Sequence, residues 1–276
     1  MYRLIFLVYL IFIACSGTQK EEKSLSQLLS TGRWIDLGYD FSEKTIYWPT
    51  AEGFRFDTVF EGVTPDGFYY SAFNFCAAEH GGTHLDAPVH FAKDKWAVDQ
   101  IPLEQLTGEA VVINVSEKAL KDRNYQITVE DIERWEKENN MIPENSILLF
   151  YTGFGSFYPD AVKYLGTVER GQDAVAKLIF PGIHPDAASW LVKNRKIKAV
   201  GLDAASVDYG QSKDFKTHQV LYNQNIPGFE NLANLDKLPA KGSFIIALPM
   251  KIKNGSGAPL RIIAWVKQSP GDSAGQ

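Results

Sequence analysis

Five short runs constrain this chain more than any other feature: Ala110–Val115, Ser146–Tyr151, Ile197–Leu202, Ser243–Leu248 and Leu260–Val266. Each is apolar almost throughout and rich in β-branched residues. They are too short for buried helices and too continuous for strands with one wet face, so they predict strands covered on both sides. Trp34–Tyr39 alternates weakly and reads as a first strand, with Asp40–Lys44 as the polar turn after it.

Helical patterns lie between the runs. Thr128 with Asp131 forms a capping-box pattern opening Val129–Asn139, and Pro185 at a first-turn position opens Asp186–Lys193. A shorter helix is expected over Thr217–Gln224. With no internal repeat, the mixture predicts one compact α/β or α+β domain, a mixed sheet with covering helices, over residues 29–268. At 276 residues and 45% hydrophobic content, the chain buries a core without needing cross-links.

The ends read differently. Residues 1–15 carry one early positive charge and an apolar run shorter than the roughly 20 residues that span a bilayer, closing on Ala14-Cys15. This resembles a bacterial lipoprotein signal, which implies export, a lipidated Cys15 and membrane attachment through that lipid. Residues 16–28 would be a polar tether and 269–276 a disordered tail. Cys76 would then have no disulfide partner and is expected as a small buried apolar residue. A net charge of −5 and the lack of any Lys/Arg stripe exclude nucleic acid as a partner.

The chemistry concentrates in His80-Gly-Gly-Thr-His-Leu-Asp-Ala-Pro-Val-His90, which holds three of the chain's 5 histidines. Gly81, Gly82 and Pro88 argue against a helix, so an extended segment is expected, with His84, Asp86, Pro88 and His90 on one face and His80 folding back over the glycines. His80, His84 and Asp86 would then give a nitrogen and oxygen donor set suited to Mn²⁺ or Zn²⁺ with a place left for water. His90, at the far end, is the candidate proton carrier.

HGGTHLDAPVHF resembles the signature of the cyclase family that includes bacterial kynurenine formamidase. Tyr47-Trp48-Pro49, Gly201–Asp208, Thr217-His218 and Glu230-Asn231-Leu232 resemble further elements of that family. The resemblance implies a cyclase-like fold, a first metal ion on His80, His84 and Asp86, and His90 as general acid/base. It also implies a second ion shared by Asp86 and held by His218 and Glu230, with Trp48 lining the substrate pocket. Phe180–Ala188 and Asp208–Ser212 are closer to an isatin-hydrolase-like branch, where a single manganese and a glutamine ligand are expected; Gln224 is the candidate, with Gln219 as its alternative. One or two ions per chain therefore stay open.

The implied activity is hydrolysis of a C–N amide bond beside an aromatic ring, in a formamide or a strained lactam, by a homodimer or higher homo-oligomer. The rival reading is an exported lipoprotein that binds a metal or solute without catalysis. Among the remaining candidates, His184 is expected to cap the helix after it, and Asp203 and Asp208 either to orient a ligand imidazole or to shape a turn. Phe54, Phe68, Tyr69, Tyr70 and Phe73 could join Trp48 in an aromatic slot or serve packing alone.

Overall fold

Alternation within two strands decides the layers. In Ser146–Tyr151 and Ile197–Leu202, which are strands over the predicted ranges, Leu148, Phe150, Val200 and Leu202 face one way and Ile147, Leu149 and Ala199 the other. All seven are fully buried. The first set packs on Ile132 and Trp135 of the helix Val129–Asn139 and on Ala187 and Leu191 of the helix Pro185–Asn194. The second set faces Ile245, Ala247, Ile262 and Ala264 across a separate core. Two cores on opposite sides of the same strands are what continuous apolar runs require.

The coordinates are a computed structural model and describe residues 24–268. The strands are β1 Gly32–Asp36, β2 Arg55–Val63, β3 Tyr69–Cys76, β4 His84–Asp86, β5 Thr107–Asn114 and β6 Gln126–Ile127. They continue as β7 Ser146–Tyr151, β8 Gly182–Ile183, β9 Ile197–Leu202, β10 Gly228–Glu230, β11 Lys241–Pro249 and β12 Gly257–Lys267. One mixed sheet has the order β1-β12-β11-β5-β7-β9-β10-β4. Its centre, β5-β7-β9-β10, is parallel and the rest is antiparallel. Strand β4 also pairs with Gly257–Pro259 of β12, so the sheet closes on itself and β4 has a hydrogen-bonded neighbour on each side.

Several expectations change. β11 and β12 alternate in burial and are covered on one face only, leaving Phe244 and Leu248 exposed, as suits antiparallel strands at the outer side of the closed sheet. β1 starts and ends earlier than Trp34–Tyr39. The last tether residues form a helix, Leu25–Leu29, capped by Ser24. Trp265 fastens its end by donating Nε1–H to the Leu29 carbonyl at 3.0 Å. The helix expected over Thr217–Gln224 is Lys216–Tyr222, so it stops two residues short. Residues 1–15, Cys15 and the 269–276 tail lie outside the described residues.

β2 and β3 pair only with each other, forming an arm whose residues are exposed on both faces. Phe56, Phe73 and Phe75 stack along one face, continuing onto Phe54 at its base. Phe68, Tyr69, Tyr70 and Phe73 therefore belong to the arm and form no slot with Trp48 within this chain, and Cys76 at its end is exposed, not buried.

Candidate metal centre

Two glycines set the entry to the site. Gly81 bridges Tyr47, and a Cβ there would lie 2.0 Å from the Tyr47 ring. Gly82 has φ +55, in the left-handed region that side chains disfavour. This turn carries His80 back over the strand it precedes. β4 then places His84 and Asp86 on one face, two residues apart. The extended run ends there: Pro88–His90 is a 3₁₀ turn, so His90 reaches the site from a turn and not along a strand. Register places Glu230 of β10 directly opposite His84, and the helix Lys216–Tyr222 brings in His218.

Asp86, His84, His218 and Glu230 are each no more than 4% exposed. Asp86 is the hub. Its Oδ1 lies 2.6 Å from His80 Nδ1 and 3.1 Å from His84 Nε2. Its Oδ2 lies 3.2 Å from His218 Nε2. Glu230 closes the ring, with Oε2 at 3.4 Å from His84 Nε2 and Oε1 at 3.4 Å from His218 Nε2.

The outward nitrogens show which inward ones are bare. His84 Nδ1–H donates to the Gly82 carbonyl at 2.9 Å, and His218 Nδ1–H donates to Asp208 Oδ2 at 2.5 Å. An imidazole that donates from Nδ1 keeps a lone pair on Nε2 in its neutral form. Both lone pairs then face carboxylate oxygens, and His84 Nε2 is buried without any hydrogen-bond partner. Lone pairs facing carboxylates demand positive charge between them. Without a metal, protons meet that demand: against the downward pull of burial, Asp86 and Glu230 push His84 up to about 9. Likewise Asp208, Asp86 and Glu230 outweigh burial to hold His218 well above its ordinary value. Asp86 stays well below the carboxylate range despite burial, because His80, His218 and His84 surround it.

The residues therefore fit a divalent cation. There are two donor triads, His80-His84-Asp86 and Asp86-His218-Glu230, and within each the three ligand atoms lie within 4.8 Å of one another. The expected donors come together except for one: Gln224 is exposed beyond the end of its helix. Gln219 turns its amide to the Asp214 carbonyl, away from the site. The buried inward group on that helix is instead Tyr222, whose hydroxyl donates to Asp86 Oδ2 at 2.9 Å. Its spacing of four from His218 was the sequence signal for a shared helix face.

Asp203 and Asp208 separate cleanly. Asp203 accepts main-chain N–H bonds from Thr152, Gly153 and Gly155 and shapes that turn. Asp208 orients His218. His184 caps its helix by accepting from Asp186 N–H at 3.1 Å.

His90 stacks on His80 with ring centroids 3.8 Å apart, and among the described residues no side-chain hydrogen bond ties its ring. Burial, opposed by Asp86, lowers it to about 4, so it is neutral near pH 7. The donor cluster and His90 line a cavity of about 290 Å³ whose other walls include Ile46, Trp48, Phe91, Leu165 and Phe215. Trp48 meets Phe180 edge-on with ring centroids 6.2 Å apart. No lysine or arginine lines this cavity among the described residues.

Comparison with known proteins agrees with this geometry. The Cyclase family's sequence model matches residues 35–209. The isatin hydrolase of Roseibium aggregatum is 32% identical over 212 residues, covering 74% of this chain and 78% of that protein. The kynurenine formamidase of Salinibacter ruber is 30% identical, covering 83% and 95%. A solved isatin hydrolase A from Labrenzia aggregata, bound to benzyl benzoate, superposes with a TM-score of 0.80 at 32% identity, covering 89% of this chain and 100% of that one. Sequence and architecture thus agree over most of the chain's length, and the chain belongs to the Cyclase family.

Proposed function

We propose that this chain is a metal-dependent hydrolase that opens a C–N amide bond next to an aromatic ring. One observation carries the reading: inward lone pairs and shared carboxylates form the polar end of an aromatic-walled cavity, with an untethered neutral imidazole stacked over them. A divalent ion held by His80, His84 and Asp86, Mn²⁺ or Zn²⁺ by donor type, would supply activation of water near neutral pH and polarisation of the carbonyl. His218 and Glu230, with Asp86 shared, are the donors for a second ion.

The protein's own groups do the rest. Trp48 and Phe215 hold a planar ring in the cavity. His90 takes the proton of the attacking water as its oxygen bonds to the carbonyl carbon, then gives it to the departing nitrogen as the C–N bond breaks. Among the described residues no lysine or arginine lines the cavity beside its walls of Trp48, Phe91 and Phe215, which suits a neutral lactam of the isatin kind better than a zwitterionic N-formyl amino acid. With the full chain stripped by chelator, isatin hydrolysis is expected to stop and to return with Mn²⁺ or Zn²⁺, with N-formylkynurenine turned over more slowly in parallel. Bound metal with neither compound hydrolysed would favour the non-catalytic binding reading.

We propose too that the chain is exported and that it assembles with copies of itself. The segment ending at Cys15 supports an exported lipoprotein; labelled palmitate should enter the native chain and not Cys15→Ser. The arm supports a homo-oligomer, because a two-stranded ribbon with exposed aromatic residues is marginal alone in water. A monomeric mass at micromolar concentration would dismiss that part.

A further inference from the structure

His84 and His218 have their outward nitrogens fixed by groups that can only accept, a main-chain carbonyl and a buried carboxylate. His80 has neither, and it is turned the other way round: its Nδ1, not its Nε2, faces Asp86. Its outward Nε2 lies 2.9 Å from Ser256 Oγ, in the loop before β12. A serine hydroxyl can donate or accept, so this contact by itself does not decide which nitrogen holds the proton, and Nδ1 lies 2.6 Å from Asp86 Oδ1, where a bound metal would take the place of any proton between them. The next contact removes that freedom. Ser256 Oγ lies 2.6 Å from Glu79 Oε2, which also accepts the Ser256 main-chain N–H at 3.0 Å. The oxygen that accepts the main-chain N–H is the one the hydroxyl meets, so the hydroxyl proton points to Glu79 and the lone pair of Oγ is left for His80 Nε2–H.

We propose that Glu79 and Ser256 are positioning residues that fix the tautomer of His80 and so keep its Nδ1 bare toward the metal. The proposal rests on the reading of the cluster as a metal centre. The loop is built to hold the serine in place. Asn254 N–H donates to Asp99 Oδ1 at 2.9 Å, Val98 N–H to the Gly255 carbonyl at 3.0 Å, and Ala87 N–H to the Ser256 carbonyl at 2.9 Å. Gly257 completes the fit, since a Cβ there would stand 2.5 Å from His80 Cε1. Removing the Glu79 carboxylate frees the hydroxyl to turn its proton toward Nε2, which would move the imidazole proton to Nδ1, where the metal must bind. The same imidazole is the platform on which His90 stacks, so its orientation also sets the height of the proton carrier above the site.

The test is the Mn²⁺ dissociation constant of the full chain, read by electron paramagnetic resonance of free Mn²⁺ and independent of turnover. Ser256→Ala and Glu79→Ala are each expected to weaken binding by about 10- to 100-fold, the effect typical of a lost partner behind a ligating imidazole. Ser256→Thr, which keeps the hydroxyl, should restore it. In a His80→Ala background Ser256→Ala should cause no further loss, because the serine acts only through that imidazole. Native binding with unchanged affinity in Ser256→Ala, or an equal loss with and without His80, overturns the proposal and leaves the metal centre standing. A native chain that takes up no Mn²⁺ overturns the metal-centre reading and this proposal with it.

Discussion

Asp86→Ala is expected to abolish metal binding at both triads together and to bring amide hydrolysis down to background. Asp86 is the one residue common to the two donor sets, with Oδ1 serving His80 and His84 and Oδ2 serving His218 and Tyr222. Losing a partner behind a ligand costs about 10- to 100-fold in affinity, so losing the shared ligand should exceed that upper figure. The metal-free protein should also suffer. The Tyr222 hydroxyl and the inward nitrogens would be buried without their acceptor, at about 1–3 kcal/mol for each group so stranded. Metal analysis and a thermal melt of the same preparation check both halves. One full equivalent of metal retained by the variant would mean that the triads do not depend on a common carboxylate.

His90→Ala is expected to show the complementary pattern, with metal content unchanged and kcat lowered by about 10²- to 10⁴-fold, the range a positioned proton carrier supplies. The ring lies 3.8 Å from His80 in a stack, not in a ligating contact, and it reaches the cavity from the turn Pro88–His90. Among the described residues it makes no side-chain hydrogen bond to the cluster, only the stack on His80. Stopped-flow hydrolysis beside a metal titration separates the roles: equal loss of both would make His90 a ligand or a structural support, and near-native turnover would move proton transfer to another group.

Local information accounts for what could be read in advance. β7, β9 and the helix Val129–Asn139 sit where their patterns place them, because burial on both faces and a reach-back bond from Thr128 N–H to Asp131 Oδ2 at 3.0 Å are recorded within the segment itself. The donor cluster was visible for the same reason, since three of its members lie within seven residues. The arm was not. Its aromatic residues stack across two strands that, among the described residues, pair with no third one, so no periodicity marks them as a separate element. β11 and β12 read as doubly covered because outward residues such as Phe244 and Leu248 are as apolar as the inward ones. The helix end at Tyr222, which displaces Gln224 from the site, depends on the chain leaving to reach β10. Ser256 pairs with residues 176 and 177 positions earlier, a distance that no local pattern spans.

Strand β4 is only three residues long, yet it is hydrogen-bonded on both flanks, to β10 and to β12. The spacing of its two donors is therefore set by sheet pairing on both sides, and removing an ion is expected to leave that pairing in place. Metal loading would then be an exchange of protons for an ion on a scaffold that is already paired, in contrast to small metal-folded domains whose chains order only around the ion. A chelator is therefore expected to empty the site without unfolding the chain. Amide exchange in β4 should accordingly be as slow in the stripped chain as in the loaded one.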